Sequence, residues 1–271
     1  MAPFVKKQTD DGIYRIREKK NVGVAEYVII GDDKAMLIDT GYGHNGLREF
    51  VEQNVTDLPL VVVNSHYHPD HSADNQYFGK VHIGGADIPI DGKSDFSQLM
   101  KKIGDGFAPA GKLLNFLFPP FDDSKVEYIP FEDGEIFDLG GRTVTVHDFP
   151  GHTRGSVLFE ESKTHGLFTN DSVNNSTWLF TNPTLNLKDY TERVCDLKKR
   201  FPDVKKVYFS HIYKELTTDF FDEYGEFLKR VGKSFRISIP FKGLSSPLCI
   251  VFGKTKHFGI VCTFIFKNQI Q

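Results

Sequence analysis

Residues 60–71, LVVVNSHYHPDH, join a short apolar run to a dense group of polar side chains. The run is β-branched and of strand length, which is typical of a strand buried inside a sheet. Four side chains of the metal-ligand type follow within six positions: His66, His68, Asp70 and His71. A fold for this chain must therefore bury the strand and leave its carboxyl end open to these groups.

The spacing of the cluster favours a metal site. Residues two apart on an extended backbone point the same way, so His66 and His68 can approach one object together. Asp70 and His71 lie just past Pro69, where we expect a bend, and can meet a neighbouring object. Imidazole and carboxylate ligands suit zinc, manganese or iron. An isolated histidine is more often a surface or core residue, but this density favours metal binding.

Four ligands do not complete two metal sites, and three more candidates lie further along the chain. His152 stands in a glycine-flanked turn, DFPGHTRGSV, after a predicted strand. Asp171 and His211 each come just after a strand, in GLFTNDSV and KVYFSHIY. Because a packed scaffold presents side chains at strand ends rigidly to a cleft, these three are candidate ligands.

Strand and helix patterns are interleaved along the chain. Apolar segments bounded by turn residues predict strands at residues 12–17, 25–31, 34–39, 60–65, 142–149, 156–161, 166–169 and 206–210. Helical periodicity is present at residues 45–54, 96–103, 187–201 and 218–231. This order favours two sheets packed together with helices outside, each half of the chain supplying one sheet.

Two segments depart from this pattern. Residues 104–121, GDGFAPAGKLLNFLFPPF, are irregular and apolar, which indicates a lid or pocket wall, or else a loop tucked onto the core. Residues 233–271 carry little acidic charge and contain strand patterns at 235–241, 248–252 and 257–266. The sequence therefore predicts a catalytic domain over residues 1–232 and a β-rich C-terminal extension over 233–271, to which it assigns no role.

Composition excludes several broad classes of protein. The 271 residues are 39% hydrophobic and 25% charged with a net charge of −3, which indicates a globular protein without a general attraction to nucleic acid. The three cysteines, Cys195, Cys249 and Cys262, are odd in number and lack ligand-like spacing, so neither a disulfide scaffold nor a thiolate zinc site is expected. No uncharged apolar run approaches the ~18–20 residues of a membrane span, and no signal-peptide core is present. We expect a cytoplasmic protein with no nucleic-acid or membrane partner.

Five ordered motifs resemble those of the metallo-β-lactamase superfamily. They are MLIDTGYG (36–43), HYHPDH (66–71), PGHTRGS (150–156), TND (169–171) and SH (210–211). The resemblance spans about residues 12–212. It implies an α+β fold, a four-layer αβ/βα sandwich of two mixed sheets flanked by helices, with a dinuclear metal site at one edge.

The resemblance also implies the ligands of both metals. By this resemblance, the first metal is bound by His66, His68 and His152. The second metal is bound by Asp70, His71 and His211. Asp171 bridges the two metals, and Asp39 orients the histidine loop from behind the ligands. Every ligand position is filled. Departures lie beside the site, where Ala73 and Asp74 replace a common glycine pair and Asn170 replaces a usual glycine.

This ligand set predicts hydrolysis. Two divalent metals ~3.5–4 Å apart can share a water, lower its pKa to ~7 and hold the hydroxide as nucleophile. The ions, two aspartates and the hydroxide sum to about +1, which favours an anionic or strongly polarised small-molecule substrate. Asp70 and Asp171 are the candidate catalytic carboxylates. We expect zinc, with iron or manganese as alternatives, and the sequence assigns no oligomeric state.

The bridging aspartate narrows the reaction. β-Lactamases of the superfamily usually lack it, and many place a cysteine at the second metal, whereas this chain has Asp171 and no cysteine before Cys195. Relatives with the bridge include glyoxalase II-like thioesterases, lactonases, nucleases and phosphodiesterases. Neither the large extra domain nor the basic arm of the nucleases is evident here. The prediction is a small dinuclear hydrolase that cleaves a thioester, a lactone or another ester.

Three alternatives stay open. One is a phosphodiesterase or nuclease of the same fold. Another is an iron-dependent oxygen or sulfur oxidoreductase, although the diiron reductases often place a glutamate where His68 stands. A metal-binding protein without turnover, with its tail covering the cleft, is the third.

A substrate pocket is expected close to the ligands. Its candidate residues lie beside the ligand motifs or just beyond Asp171: Tyr42, Tyr67, Trp178, Phe180 and Arg154. Asn174 could also bind an acidic group of the substrate. The aromatic residues could instead belong to the core, since aromatic residues make up 13% of the chain. Arg154 and Asn174 could instead make local turn contacts.

Overall fold

Three sheets organise the part of the chain that the structure, a computed structural model, describes. The described residues are 4–19, 24–43, 46–89, 123–179, 181–182, 184–231, 236–239, 248–255, 259–266 and 269–270. The helix predicted at 96–103, the candidate lid at 104–121 and the candidate pocket residue Phe180 lie outside these ranges.

The first sheet holds seven strands in chain order. They are β1 (Phe4–Asp10), β2 (Ile13–Glu18), β3 (Ala25–Ile30), β4 (Ala35–Ile38), β5 (Leu60–Val63), β6 (Lys80–Ile83) and β7 (Glu127–Pro130). Strands β1 to β4 run antiparallel, whereas β4 to β7 are parallel. Parallel pairing brings the carboxyl ends of β4 and β5 to one edge, where the histidine cluster follows.

The second sheet has five strands from the later part of the chain. They are β8 (Ile136–Asp138), β9 (Thr143–Asp148), β10 (Val157–Glu161), β11 (Gly166–Phe168) and β13 (Lys206–Tyr208). Strands β8 to β11 are antiparallel, and β13 lies parallel to β11. The carboxyl ends of β11 and β13 therefore also share an edge.

Four helices lie among the described residues outside short 3₁₀ turns. They are α1 (Leu47–Asn54), α2 (Pro69–Ser72), α3 (Leu187–Arg200) and α4 (Asp219–Leu228). Helix α3 begins where the Asn186 side chain accepts a hydrogen bond from Lys188 N over 2.8 Å. No helix in the described ranges is long and apolar enough to cross a membrane.

The layers follow from three apolar clusters. Between the sheets, Tyr27 of β3 packs against Phe168 of β11 with ring centroids 5.1 Å apart. On the outer face of the first sheet, Leu47, Phe50 and Val51 of α1 are buried against the strands. Helices α3 and α4 cover the outer face of the second sheet. This is the predicted α+β sandwich of two mixed sheets flanked by helices, and the fold class is confirmed.

A third sheet of four strands adds to this frame. Its order is β12 (Ser176–Trp178), β16 (Gly259–Phe266), β15 (Leu248–Thr255) and β14 (Arg236–Ile239). Cys249, Val251 and Ile265 are buried in the same cluster as the apolar side of α4. Strand β12 pairs in parallel with β16, so residues on both sides of position 232 share one sheet. The domain division at 232 stays a prediction.

Candidate metal centre

The seven predicted ligands all lie at one edge of the sandwich. His66 follows β5, His152 follows β9, Asp171 follows β11 and His211 follows β13. Helix α2 carries Asp70 and His71 just after Pro69, and His68 immediately precedes it. Three groups of these residues have their possible ligand atoms within 4.8 Å of one another. The groups are His66, His68 and His152; His66, His71 and Asp171; and Asp70, His71 and His211.

The first group has the spacing of ligands around one cation. His152 Nε2 lies 3.2 Å from His66 Nε2 and 2.8 Å from His68 Nδ1. Nitrogens held at ~2.0–2.1 Å by a tetrahedral zinc are themselves roughly 3.3 Å apart. All three rings are buried. The three histidines therefore fit a single metal ion without large rearrangement.

The second group surrounds the carboxylates of Asp70 and Asp171. Asp70 Oδ2 lies 3.5 Å from His71 Nε2 and 3.6 Å from His211 Nε2. Asp171 Oδ2 lies 3.4 Å from His71 Nε2, 3.0 Å from His211 Nε2 and 3.7 Å from His152 Nε2. One oxygen of Asp171 is thus within reach of ligand nitrogens from both groups.

His71 supplies the clearest sign that a cation fits here. Its Nδ1 lies 2.9 Å from Asp39 Oδ2, and its Nε2 is buried without a hydrogen-bond partner. That Nε2 faces the Asp70 and Asp171 carboxylates at 3.4–3.5 Å, so one ring nitrogen and two carboxylate oxygens from three different residues converge on one point. A cation bound at this point would replace the proton on Nε2, balance the carboxylate charge and serve as a partner of all three groups.

Asp39 lies directly behind the ligands and is fully buried. Its carboxylate accepts hydrogen bonds from Ser65 N over 2.7 Å and from Ser65 Oγ over 2.8 Å. The same group meets His71 Nδ1 and accepts from Asn170 Nδ2. One buried carboxylate thus contacts the start of the histidine loop, a ligand ring and the residue before Asp171.

Comparison with known proteins decides the family. The model of the metallo-beta-lactamase superfamily matches residues 22–223. The chain belongs to the metallo-β-lactamase superfamily. Acyl-coenzyme A thioesterase MBLAC2 of Gallus gallus is similar to it, with 25% identity over 73% of this chain and 76% of that protein. The Homo sapiens protein of the same name is 24% identical over 73% of this chain and 77% of its own length.

Solved structures show the same fold. A metallo-beta-lactamase family protein of Thermus thermophilus has a TM-score of 0.60 and 19% identity, covering 82% of this chain and 81% of that chain. An archaeal superfamily protein of Sulfolobus tokodaii has a TM-score of 0.56 and 22% identity, covering 85% of this chain and 90% of that chain. At these identities the likeness concerns the fold alone.

Asp87 connects the two loops that carry His68 and His152, although it was not among the predicted site residues. Asp87 Oδ2 accepts from Tyr67 N over 3.0 Å and from Thr153 Oγ1 over 2.6 Å. Asp87 Oδ1 accepts from Gly155 N over 2.8 Å. The loops carrying His68 and His152 are therefore tied to one carboxylate. No motif marks Asp87, which lies in a short 3₁₀ turn after β6.

Glycine is required where these loops meet. A Cβ on Gly84 would lie 1.9 Å from the carbonyl oxygen of Gly155. The close approach of the two backbones brings Asp87 within hydrogen-bonding distance of the His152 loop. A side chain at Gly84 would force the loops apart and disturb the centre.

Burial and charge set the protonation of the metal-free ligands. Burial lowers the pKa of His66 and His68 well below the usual histidine value, and the pKa of His152 falls for the same reason. Their neutral rings are the form that binds a metal. Burial opposes charge at His71, but the carboxylates of Asp70, Asp39 and Asp171 raise its pKa well above the usual value.

The two halves of the centre therefore differ in charge. Despite burial, His211 and His71 hold the pKa of Asp171 well below its usual range, so this carboxylate stays ionised. Against burial, Asp171 and Asp70 raise the pKa of His211. Neutral imidazoles make up one half, whereas the other half holds the ionised Asp171 carboxylate beside His71 and His211, the two imidazoles whose pKa is raised.

The predicted pocket residues fall into different environments. Burial, followed by the charges of Asp70 and Asp171, raises the pKa of the Tyr42 phenol. Tyr42 and Trp178 are half-buried, whereas Arg154 is exposed. The Tyr67 ring is buried, 5.9 Å from the ring of Tyr128.

Asn174 makes the local contact that was one of its two predicted roles. It is buried, and its Nδ2 donates to Asp171 Oδ1 over 3.1 Å. Asn174 Oδ1 in turn accepts from Ser176 N over 2.6 Å. The side chain therefore holds the Asp171 carboxylate against the turn that leads into β12.

Proposed function

We propose that this chain is a metal-dependent hydrolase that cleaves a small-molecule thioester at a dinuclear centre. The observation that carries the proposal is the position of Asp171 Oδ2, within 3.7 Å of nitrogens from both ligand groups. Membership of the superfamily and its relatives named acyl-coenzyme A thioesterase support a hydrolase of thioester or ester bonds.

In this proposal each group of side chains holds one cation. His66, His68 and His152 hold the first, and Asp70, His71 and His211 hold the second, with Asp171 shared. Zinc is the expected metal, because imidazole and carboxylate are ligands that zinc prefers, and iron or manganese would fit the same donors. When bound, two such cations supply an activated water and polarise the carbonyl oxygen of the substrate.

Asp70 and His211 mark the open side of the centre. Their side chains are 14% and 30% exposed, whereas the histidines of the first group are buried. A substrate would therefore approach over the second group. Burial and the charges of Asp70 and Asp171 raise the pKa of the Tyr42 phenol, which therefore stays protonated beside the second group. We assign Tyr42 and the partly exposed Trp178 to the pocket wall.

The net charge of the proposed site favours a thioester whose carrier group is anionic. With its metals and one hydroxide the site carries about +1, so a negatively charged small molecule is attracted. The thioesterase relatives favour this substrate over a lactone or phosphodiester. The cytoplasmic location, the metal identity and the absence of nucleic-acid partners stay predictions.

A substrate panel tests the proposal. The purified chain is stripped of metal, reconstituted with zinc, manganese or iron, and assayed on an acyl-coenzyme A, a lactone, an aryl phosphodiester and a cephalosporin. We expect metal-dependent thiol release from the thioester to exceed the other activities. Turnover of the phosphodiester alone, or metal-dependent oxygen uptake without hydrolysis, would contradict it.

Two variants serve as controls for the panel. Asp171→Asn keeps the size of the side chain but removes the charge that both groups share, so thioester turnover should be lost. Asp203→Asn makes the same change at an exposed position in the loop before β13, and activity should be retained.

A further inference from the structure

The C-terminal strands reach the backbone that orients His152. We infer that Thr263 and Gln269 are positioning residues that keep His152 in its ligand orientation through residues 177–185, an inference that rests on the proposed metal centre. Both lie beyond the span of 22–223 that the family model matches.

The first step is the orientation of the ligand ring. His152 Nδ1 donates to the carbonyl oxygen of Trp178 over 2.8 Å. This bond leaves the Nε2 lone pair facing His66 and His68, at 3.2 and 2.8 Å. A ligand histidine needs such a partner on its other nitrogen to fix its tautomer and ring plane. The position of the Trp178 carbonyl therefore sets the position of the ligand.

The second step is the support of Trp178 by the C-terminal sheet. Trp178 ends β12, a strand of three residues at the edge of its sheet, where β16 is its neighbour. Thr177 pairs with Thr263, and Thr263 Oγ1 donates to Thr177 O over 2.9 Å. Both threonines are fully buried. So short a strand has little stability alone, so β16 must hold it in place.

The third step is a second hold on the segment after β12. Gln269 is buried, and its Nε2 donates to Asn182 O over 2.8 Å. The carbonyl oxygens of Leu179 and Leu185 lie 3.4 and 3.3 Å from the same nitrogen. The carbonyl oxygens of Leu179 and Asn182 also accept from Asn182 N and Leu185 N, so the Gln269 amide adds a further buried donor that fastens this turn to the tail.

The fourth step is a hydrogen bond from this segment back to the loop that carries His152. Thr181 Oγ1 donates to His152 O and also lies 3.2 Å from Trp178 O. The ring of His152 is therefore bonded to Trp178, and its main chain is bonded to Thr181. Because Thr263 bonds to Thr177 and Gln269 bonds to Asn182, these two tail residues restrain His152 through the backbone between them.

Matched variants separate positioning from general stability. Thr263→Val and Gln269→Met keep the side-chain volume and remove the donors, whereas Thr263→Ser keeps the hydroxyl. Ile265→Val removes one methylene from a buried position on the same strand and breaks no hydrogen bond. Thr263→Val and Ile265→Val are expected to lose similar amounts of thermal stability. A difference between their zinc affinities then reports the position of His152 and not general stability.

Zinc affinity, measured by chelator competition without substrate, is the first readout. We expect Thr263→Val and Gln269→Met to lower the affinity for one of the two zinc ions roughly 10–100-fold. The zinc affinities of Thr263→Ser and Ile265→Val should stay close to that of the wild type. Zinc affinities in Thr263→Val and Gln269→Met within twofold of those of Ile265→Val would overturn the inference.

The second readout uses the metal-free protein and needs neither zinc nor turnover. The ¹⁵N spectrum of the His152 ring should show a proton on Nδ1 in the wild type and a mixture of tautomers in Thr263→Val. Hydrogen exchange on the wild type requires no variant: residues 178–185 should open together with β15 and β16. Protection of 178–185 while these strands exchange would overturn the inference. A wild type that binds zinc without hydrolysing thioesters would contradict only the proposed function.

Discussion

Asn170 Nδ2 donates to Asp39 Oδ2 over 2.7 Å, which joins the residue before the shared aspartate to the carboxylate behind the histidine loop. Both residues have left-handed backbone, with φ of +44° at Asn170 and +64° at Asp39. Asparagine and aspartate tolerate this region better than other residues with a side chain. The family's usual glycine at position 170 could adopt the same backbone but could not make the bond.

Asn170→Gly tests what the bond contributes. The change relieves the backbone and removes a buried hydrogen bond to a carboxylate, typically ~1.5–3 kcal/mol. We expect weaker zinc binding, measured by chelator competition, because Asp39 then loses one contact beside His71. His165→Gly is the matched control, since His165 also has a positive φ, +59°, but lies at the β10–β11 turn. Equal zinc affinity in both variants would refute a role for the bond.

Removal of Asp171 and of His211 should have different effects on metal content. Asp171 Oδ2 contacts nitrogens of both groups, whereas the carboxylates that His211 Nε2 meets among the described residues are those of Asp70 and Asp171. Asp171→Ala should therefore lose both metals on dialysis, and His211→Ala mainly the second. Native mass spectrometry counts them, with exposed Asp203→Ala as the control. Two metals retained in Asp171→Ala would argue against a shared ligand.

Asp87→Ala should loosen the centre although Asp87 is not a predicted ligand. It removes three hydrogen bonds that join the loops of His68 and His152, and we expect a loss of about 2–4 kcal/mol in unfolding free energy. Thr153→Val removes one of the three together with the 2.7 Å contact between Thr153 Oγ1 and Ser156 Oγ, and it should cost less than Asp87→Ala because the other two bonds to Asp87 remain. Thermal unfolding with and without zinc measures both effects. A full zinc-induced stabilisation in Asp87→Ala would mean that the loops do not need this tie.

The convergence of the candidate ligands at one edge could be predicted because these residues follow strands whose patterns are strong. His66 follows the apolar run of β5, and parallel pairing of β4 with β5 brings Asp39 and the histidines to one edge. Such a pattern reports which face of a segment is buried, and the strand end then locates the site. The two confirmed sheets could be predicted for the same reason.

Other parts of the structure have no comparable pattern in the sequence. Strand β1 is mostly exposed at the edge of its sheet, and β12 has only three residues. The pairing of Thr177 with Thr263 joins distant parts of the chain, and periodicity does not identify a partner strand. Asp87 acquires its contacts only because two backbones meet at Gly84 and Gly155. These features depend on tertiary packing.

Asp74 replaces part of the family's common glycine pair, and its burial predicts a pH-dependent cost. Its Oδ1 is buried without a hydrogen-bond partner, and its Oδ2 accepts one long bond, 3.4 Å, from Leu47 N. Burial, with smaller contributions from Glu18 and Glu49, raises the pKa of Asp74 to about 6, against an ordinary aspartate value of 3.8. The folded protein therefore favours the protonated acid, and it loses stability relative to the unfolded chain as the pH rises from about 3.8 to about 6.

The sign of the effect follows from that direction. Below pH ~4 the side chain is neutral in both the folded and the unfolded state, so Asp74→Asn should change stability little. As pH rises from there through about 6, the wild type loses stability that the neutral asparagine keeps. Above this pH the variant should be more stable by up to about 3 kcal/mol. Urea unfolding of metal-free protein across pH 4–8 measures the difference, with Asp203→Asn as the exposed control. A constant difference over this range would show that Asp74 is not ionised at a cost in the folded state.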